Sequence, residues 1–310
     1  MTSATRHLGR WATAVCWFVL PLVAGPSFGD ALDPRSRAVQ LVAEVGLWGL
    51  WAAGLVAALV PSTVSLTIIR VLAPASVVAA LWAALVVPDG AATPESLALG
   101  FTTLAAVVAL SAPVGDRFVN GSSYGDERRM PLRPPGALLL GPVPLTWAVV
   151  VAGGVAGPML LAVRSWVAGA VLLVVGWTAA ALGARSLHGL ARRWLVFVPA
   201  GVVVVDRMAL TDSFLVQRQH VDSLGPAPAD TRALDLTAGA LGLALELRLT
   251  RPDQVTPAPG GWRGAAAVEP VEVGDGAVVV RWARPQRRVA PGQSLVLYAG
   301  DVVLGGGPVS

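Results

Sequence analysis

Lysine is absent from this 310-residue chain, and all 23 of its basic residues are arginines. Without lysine the chain cannot form a phosphate-binding P-loop, a Schiff base or a lysine general base. The single cysteine, Cys16, excludes an intrachain disulfide and a multi-cysteine metal site. The three histidines lie far apart and offer no zinc-ligand spacing. We therefore expect no cofactor, no metal ion and no enzymatic activity.

Charged residues are also scarce, since they make up only 14% of the chain, whereas 55% of the residues are hydrophobic. A soluble globular protein carries about 25% charged residues, so this deficit indicates that a lipid bilayer is the main partner. The net charge of +4 gives no argument for binding nucleic acid. A membrane-protein partner fits this composition, and the oligomeric state stays open.

The apolar residues form six windows that approach or exceed the roughly 20 residues needed to cross about 30 Å of hydrocarbon. These windows lie near 9–25, 38–60, 62–87, 95–114, 136–162 and 165–187. Backbone amides in lipid must be satisfied internally, so each window predicts a helix, and residues 1–187 form a transmembrane helical domain. A count of five stays open, because only Pro61-Ser62 separates the second window from the third.

The first window follows a short basic segment, as the apolar core of a signal peptide does. Pro26 and Phe28 interrupt the small-residue pattern that a cleavage site needs. We therefore interpret the first window as an uncleaved helix, with a cleaved signal peptide as the alternative.

The arginines of the loops predict the orientation, because cytoplasmic loops are enriched in positive charge. If the N-terminus is inside, nine arginines lie on the inner side and three on the outer side. The inner set is Arg6, Arg10, Arg117, Arg128, Arg129, Arg133, Arg185, Arg192 and Arg193; the outer set is Arg35, Arg37 and Arg164. This bias predicts a multi-pass protein of the inner or plasma membrane with both termini in the cytoplasm.

Two ionisable residues lie inside the predicted spans. Glu44 is early in the second span and Arg70 is early in the third. A charge at membrane depth indicates a functional site by default, so we treat the two as a candidate intramembrane polar pair on adjacent helices. The alternative is an interfacial role, in which Arg70 extends its charged end to the headgroups.

Arginines also cluster on the inner side of the predicted spans. Arg128, Arg129 and Arg133 lie in a loop over 114–135 that is rich in turn-forming residues, and Arg192, Arg193 and Trp194 directly follow the last span. Arginine is attracted to anionic headgroups, and tryptophan favours the interface. We therefore predict that these six residues contact the membrane surface.

The periodicity changes after Arg193 and predicts a β-rich cytoplasmic domain over 188–304, with a flexible tail over 305–310. Trp194–Val198 and Val202–Arg207 form a predicted hairpin across Pro199-Ala200-Gly201. Leucines alternate from Leu241 to Leu249 with a period of two, and we expect this strand to pair with Leu234–Leu236. A third hairpin is predicted across Gly274-Asp275-Gly276, and Ser294–Tyr298 is predicted as a final short strand.

The opening hairpin Arg193–Asp206 and the strand that follows it, Phe214–Leu224, resemble the bacterial pleckstrin-homology-like domains that follow transmembrane helices in many membrane proteins. The resemblance covers residues 190–285 and implies a binding or scaffolding module. The closing helix of that family is not evident over 284–300, where Pro285 and Pro291 intervene.

The expected fold is therefore a bundle of about six transmembrane helices followed by a small antiparallel β-barrel or sandwich, for which the resemblance implies a pleckstrin-homology-like form. We expect the helices to anchor a non-catalytic cytoplasmic β-domain that binds a partner protein or the membrane surface. The alternative is a transporter or lipid-handling protein that uses the bundle, with Glu44 and Arg70 as its intramembrane polar sites.

Overall fold

The computed structural model describes residues 3–87, 93–228, 231, 233–237, 239–251, 272–274, 277–279, 294–299 and 302–308. The chain divides into two units, Met1–Pro259 and Gly260–Ser310, and each is described by itself. The boundary lies inside the segment that the sequence predicts as one β-rich domain over 188–304. That segment is therefore divided between the two units.

The described part of the first unit contains eight helices. They are α1 (Ser3–Leu32), α2 (Arg37–Leu59), α3 (Thr63–Val86), α4 (Thr93–Leu110), α5 (Ala112–Asn120), α6 (Gly136–Leu140), α7 (Pro142–Ala162) and α8 (Trp166–Ala191). All but α5 and α6 are long and apolar enough to cross a membrane, which agrees with the six predicted windows. The second and third windows are separate helices, because the Ser62 hydroxyl caps α3 by accepting a hydrogen bond from the Ser65 amide at 3.1 Å.

Several helix boundaries differ from the prediction: the fifth window is divided at Gly141 into α6 and α7, and α8 continues past residue 187 to Ala191. Proline is involved in two further differences. α1 continues through Pro21 and Pro26, past the predicted end at residue 25. A proline inside a helix removes one amide hydrogen bond, a loss that packing against neighbouring helices offsets. Pro113 instead lies in the first turn of α5, where its missing amide has no helical partner to lose. The predicted span over 95–114 therefore ends at Leu110, and a new helix begins at Ala112.

The core of the helical part is formed by α1 to α5. Eleven of its nineteen buried residues are alanines, so the helices approach one another closely. α1 and α2 are joined where the indole N–H of Trp17 donates to the Trp51 carbonyl at 2.8 Å and that of Trp51 donates to the Trp17 carbonyl at 2.9 Å. Gly54 lies directly against this pair, and a Cβ there would overlap the Trp17 ring.

α7 and α8 form an antiparallel hairpin that packs through glycine. A Cβ at Gly153 would lie 2.5 Å from the Gly176 carbonyl oxygen, and one at Gly157 would lie 2.5 Å from the Leu173 Cα. Gly169, Gly176 and Gly183 recur every seven residues in the last span, a pattern that predicts packing against a helix of the same chain, and all three contact α7. The indole of Trp147 on α7 attaches the hairpin to α3 by donating to the Val71 carbonyl at 3.0 Å.

A four-stranded antiparallel sheet combines residues from two distant parts of the chain. Its order is β1 (Arg128–Pro131), β2 (Trp194–Val198), β3 (Gly201–Val205) and β4 (Phe214–Gln217). The β2–β3 hairpin confirms the predicted turn, since Val198 pairs with Gly201. Gly201 has φ +154, and a Cβ there would collide with the Val216 carbonyl, so this position requires glycine. The segment over 114–135 was predicted as a loop, yet it contains α5 and β1.

The predicted partner of the alternating leucines is wrong. β6 (Leu245–Leu249) pairs with β5 (Val221–Pro226), and Leu234–Leu236 is not a strand. A period of two shows which side chains share a face of a strand, but it does not specify which strand lies beside it. β5 and β6 form a two-stranded sheet of their own, so the described strands of this unit do not close into the single barrel or sandwich that the sequence predicted.

The described residues of the second unit form two hairpins. β7 (Glu272–Gly274) pairs with β8 (Ala277–Val279), which agrees with the turn predicted at Gly274–Gly276. β9 (Ser294–Ala299) pairs with β10 (Val302–Pro308). The predicted flexible tail over 305–310 is therefore strand as far as Pro308, and the last two residues lie outside the described ones.

Candidate functional site

A buried ion pair between Arg193 and Asp206 joins the two ends of the β2–β3 hairpin. Arg193 directly precedes β2 and Asp206 directly follows β3, so the hairpin brings them side by side. The Arg193 Nε donates to Asp206 Oδ1 at 2.8 Å and its Nη2 donates to Oδ2 at 2.7 Å, and each residue is 2% exposed. The Nη1 donates to the Arg133 carbonyl at 3.2 Å, which links the pair to the segment after β1.

This geometry corrects one predicted membrane contact. Arg193 cannot meet lipid headgroups, because its guanidinium is buried and directed into the protein. A bidentate pair of this kind orients both side chains, and removing one partner leaves an uncompensated buried charge. Arg193 is therefore a structural residue that positions β2 and β3.

Arg129 and Trp194 are also engaged within the protein. The Arg129 Nε donates to Glu127 Oε1 at 2.6 Å, and its Cζ lies 5.3 Å from the centre of the Trp194 ring. The hydrogen bond from Arg129, followed by one from the Tyr124 amide, holds the pKa of Glu127 below its usual value. The half-buried Trp194 ring also packs against the core of the helices. These contacts consolidate the start of β1 and leave Arg129 only partly accessible.

Asn120, at the end of α5, covers the outer edge of β1. Its Oδ1 accepts a hydrogen bond from the Arg129 amide at 2.8 Å, and its Nδ2 donates to the Arg129 carbonyl at 2.6 Å. The side-chain amide thus satisfies the backbone groups that a further strand would use. Sequence reasoning did not identify this role of Asn120.

The segment Gly121–Gly125 has the G-x-S-x-G spacing of hydrolase nucleophile elbows, with Ser123 in the serine position. Such an elbow requires a strand, a sharp turn and then a helix. Here the order is reversed, because α5 precedes the turn and β1 follows it. The match is therefore a turn without the structural context of a nucleophile.

Three of the six predicted surface residues remain exposed: Arg128, Arg133 and Arg192. Arg133 makes one long hydrogen bond, from its Nη1 to the Leu241 carbonyl at 3.4 Å. The structure thus divides the predicted set into three exposed arginines and three residues that are engaged within the protein, Arg129, Arg193 and Trp194.

The structure does not bring Glu44 and Arg70 together. Each lies seven residues after the first residue of its helix, and α2 and α3 run in opposite directions. At 1.5 Å per residue, the two side chains differ in depth by about 12 Å. Arg70 lies beside Gly115 of α5, where a Cβ would be 2.9 Å from its Nη2, and its buried Nε has no hydrogen-bond partner among the described residues. The predicted polar pair is therefore wrong as a contact.

Glu44 instead lines a cleft of about 410 Å³ between α1 and α2, which we name the α1–α2 cleft. Its polar lining residues are Asp33, Arg37, Gln40 and Glu44, and its larger apolar lining residues are Leu20, Phe28, Leu32, Leu47, Trp48 and Trp51. Sequence reasoning did not identify this cleft. The sequence did contain a signal for it: the polar residues at the start of α2 are three to four residues apart, and this spacing places them on one face of the helix.

Glu95 is a second buried charge that the sequence analysis did not single out. It lies in the first turn of α4, is 2% exposed, and its Oε2 has no hydrogen-bond partner within the described part of the chain. The amide groups of a first helical turn favour a carboxylate. In the sequence, the position of this acidic residue directly after Thr93-Pro94 indicated the first turn of a helix.

A wide groove of about 580 Å³ lies on the β5–β6 sheet, and Glu246 lines it. Thr231 Oγ1 donates to Glu246 Oε2 at 2.6 Å and Arg248 Nε donates to Oε1 at 2.7 Å, and these hydrogen bonds hold the pKa of Glu246 below its usual value. No group of three or more histidine, cysteine, aspartate or glutamate side chains that could hold a metal ion occurs among the residues described.

Comparison with known proteins gives matches to the end of the chain. Residues 265–309 match the family described as aminomethyltransferase β-barrel domain. A tRNA-specific 2-thiouridylase MnmA of Stenotrophomonas maltophilia is 67% identical over 36 residues, which are 12% of this chain and 10% of that protein. The MnmA 1 of Thermoanaerobacter pseudethanolicus is 50% identical over 44 residues, 14% of this chain and 12% of that protein.

The chain thus spans only about a tenth of the length of the curated relatives it matches. No solved structure gives a significant match. The family match at 265–309 lies within the second unit, and nothing in these comparisons bears on the pleckstrin-homology-like resemblance.

Proposed function

We propose that the chain is a non-catalytic, multi-pass protein of the inner or plasma membrane that holds a rigid β-sheet on the cytoplasmic side for a protein partner. The pairing of β1 with β2 is the observation that supports this proposal. β1 comes from the segment between α5 and α6, whereas β2 follows α8, so the sheet is connected to the helices through two separate parts of the chain. A domain attached only by a linker would lack such a constraint.

The free edge of the sheet is the surface that we assign to the partner. β1 is covered by Asn120, whereas β4 at the opposite edge pairs only with β3 among the described strands. Leu215, in the middle of β4, is 47% exposed. An unpaired edge with an exposed apolar side chain suits the addition of a strand from another protein.

Binding to the membrane surface is the second candidate function of the sheet. Arg128, Arg133 and Arg192 are exposed and have no ion pair among the described residues. Each arginine near an anionic leaflet contributes about 1 kcal/mol. These residues would align the sheet with the inner surface while β4 stays free for the partner.

We infer that the second unit adds a further β-type binding surface rather than a thiouridylase activity. Its matched segment is 10% of the length of the Stenotrophomonas relative, too short to carry the catalytic part of such an enzyme. The relatives are named for tRNA, so filter binding of tRNA to the purified chain checks this inference. Binding of tRNA at low micromolar concentration would contradict this inference and would make nucleic acid a partner of the chain.

Two measurements test the main proposal. A reporter that is active only outside the cytoplasm, fused after Ser310, should give no signal. Cross-linked partners should be recovered from native membranes with the wild type and lost with Leu215→Asp. Leu243→Asp is the matched control, because Leu243 is 93% exposed and lies outside the strands. Equal recovery with both variants would remove β4 as the binding edge.

A further inference from the structure

The α1–α2 cleft is closed at both ends by hydrogen bonds. At its deep end the Trp17–Trp51 pair joins the two helices. At its shallow end, beside the turn that connects α1 to α2, the Gln40 Nε2 donates to the carbonyls of Leu32 and Asp33 at 3.3 and 3.1 Å. Between these ties the helices separate, and the opening faces outward between α1 and α2.

Two glycines add to the open space of the cleft. Gly25 and Gly29 line the cleft, and no atom lies within 4 Å of the position that a Cβ would take on either residue. Gly54, at the Trp17–Trp51 pair, has no such space. The wall formed by α1 therefore has bare backbone at these two positions, and the volume of about 410 Å³ is within the range of small-ligand sites.

The lining of the cleft changes from apolar to charged along the helix axis. Phe28, Leu47 and Trp51 form apolar walls, and Trp48 lies at the opening with 58% of its surface exposed. Asp33, Arg37 and Glu44 supply two negative charges and one positive charge toward the shallow end. No ion pair joins these three among the described residues, so their charges are available to a ligand.

Glu44 places an exposed carboxylate inside a helix that is predicted to span the membrane, where charged side chains are rare. Glu44 lies about 10 Å along α2 from its first residue, inside a helix that is apolar enough to span a membrane. An exposed carboxylate at that depth is costly unless a cation accompanies it. Within the described residues no cationic side chain is paired with it.

We propose that the α1–α2 cleft binds one phospholipid whose headgroup carries a phosphate and a primary amine, as in phosphatidylethanolamine. The phosphate contacts Arg37, the ammonium group donates to the carboxylate of Glu44 or Asp33, and the upper part of an acyl chain lies against the aromatic walls. A phosphatidylglycerol headgroup has no cation for the two carboxylates. Phosphatidylcholine has a cation without N–H donors, so it satisfies the charge but not the hydrogen bonds.

The test uses the full chain in nanodiscs that contain phosphatidylethanolamine, phosphatidylcholine and phosphatidylglycerol in equal amounts. After extraction into detergent, the lipids retained by the protein are quantified by native mass spectrometry. We expect about one phosphatidylethanolamine per chain. Glu44→Gln and Arg37→Gln should each reduce its retention about tenfold, since each removes one charge-assisted contact.

Matched controls separate the cleft from general surface effects. Asp30→Asn and Arg35→Gln change exposed charges near the same helix ends that do not line the cleft, and retention should not change. Gly29→Leu should displace the lipid by filling the cleft, whereas Gly46→Leu, which is equally free of neighbours and lies outside the lining, should not.

Equal retention of the three lipids, or retention that survives Gly29→Leu, would overturn the proposal. Absence of bound lipid from the correctly folded wild type would do the same. A preference for phosphatidylglycerol would show that Arg37 alone selects the headgroup, against the roles given to the carboxylates. None of these outcomes bears on β4, so this test and that of the sheet succeed or fail separately.

Discussion

The Arg193–Asp206 pair of the sheet and the α1–α2 cleft use charge in opposite ways. At the sheet, the charges of Arg193 and Asp206 are buried and fully paired. In the cleft, Glu44 is exposed and has no ion pair within the described part of the chain. Where the protein completes its own pairs, the charge fixes the structure. Where it leaves them incomplete, the charge is available to a ligand.

Glycine shows the same contrast. Between α7 and α8, Gly153 and Gly176 allow two backbones to touch, and a side chain at either position would collide with the other helix. In the cleft, Gly25 and Gly29 have nothing against them. The same residue type therefore closes one helix contact and opens another, and composition alone does not distinguish the two.

The largest effect should come from breaking the buried ion pair. Asp206→Ala leaves the Arg193 guanidinium buried without its counter-ion, which costs about 3–5 kcal/mol of stability. We expect much faster proteolysis between Leu187 and Leu195 in inverted vesicles, while insertion of the helices is retained. Arg192→Gln, at an exposed position next to the pair, should change the rate little. Equal effects from the two variants would mean that the pair does not hold the sheet.

An intermediate effect is expected where helix backbones touch. Gly153→Ala places a methyl group against the Gly176 carbonyl and should destabilise the α7–α8 hairpin by about 1–3 kcal/mol. Gly154→Ala is the control, because nothing lies within 4 Å of its Cβ position. Thermal unfolding in detergent, followed by the reaction of the single thiol of Cys16 with a fluorescent dye, compares the variants. An unchanged midpoint for Gly153→Ala would contradict the close packing.

The smallest effect concerns pH at the start of β1. Because the folded-state pKa of Glu127 is lowered, its pairing with Arg129 stabilises the fold above the unfolded-state pKa, and this contribution is lost as pH falls through the folded-state pKa. The pair contributes about 0.5 kcal/mol. The stability difference between wild type and Glu127→Gln should thus be present at pH 7 and vanish in acid. If the stability difference between wild type and Glu127→Gln persists below both pKa values, it arises from packing and not from the charge of Glu127.

Much of the helical part could be predicted from the sequence, because hydrophobic length is a local property. Six apolar windows correspond to six long helices, and the glycine spacing in the last span indicated close packing. The turn at Pro199-Ala200 was likewise evident from its residues. The helix boundaries near Pro21, Pro26 and Pro113 were less evident, because the effect of a proline depends on its position within the helix and on what packs around it.

The candidate sites could be predicted only in part. Glu44 was singled out correctly as an unusual charge, but its neighbours are Arg37 and Gln40 rather than Arg70. Arg193 was grouped with Arg192 because they are adjacent in sequence, yet one is buried and the other exposed. Arg192 caps α8 and Arg193 precedes β2, and only the folding of the β2–β3 hairpin brings Asp206 beside Arg193.

The sequence by itself determined that this chain has six apolar helices, a change to β-structure after Arg193 and no lysine chemistry, because composition and periodicity act over short distances. The tertiary structure alone decided that β1 joins the sheet, that Arg193 meets Asp206, and that α1 and α2 separate into a cleft. These features depend on contacts between residues far apart in the chain. Local propensity does not encode which distant partners complete a charge, a strand edge or a helix face.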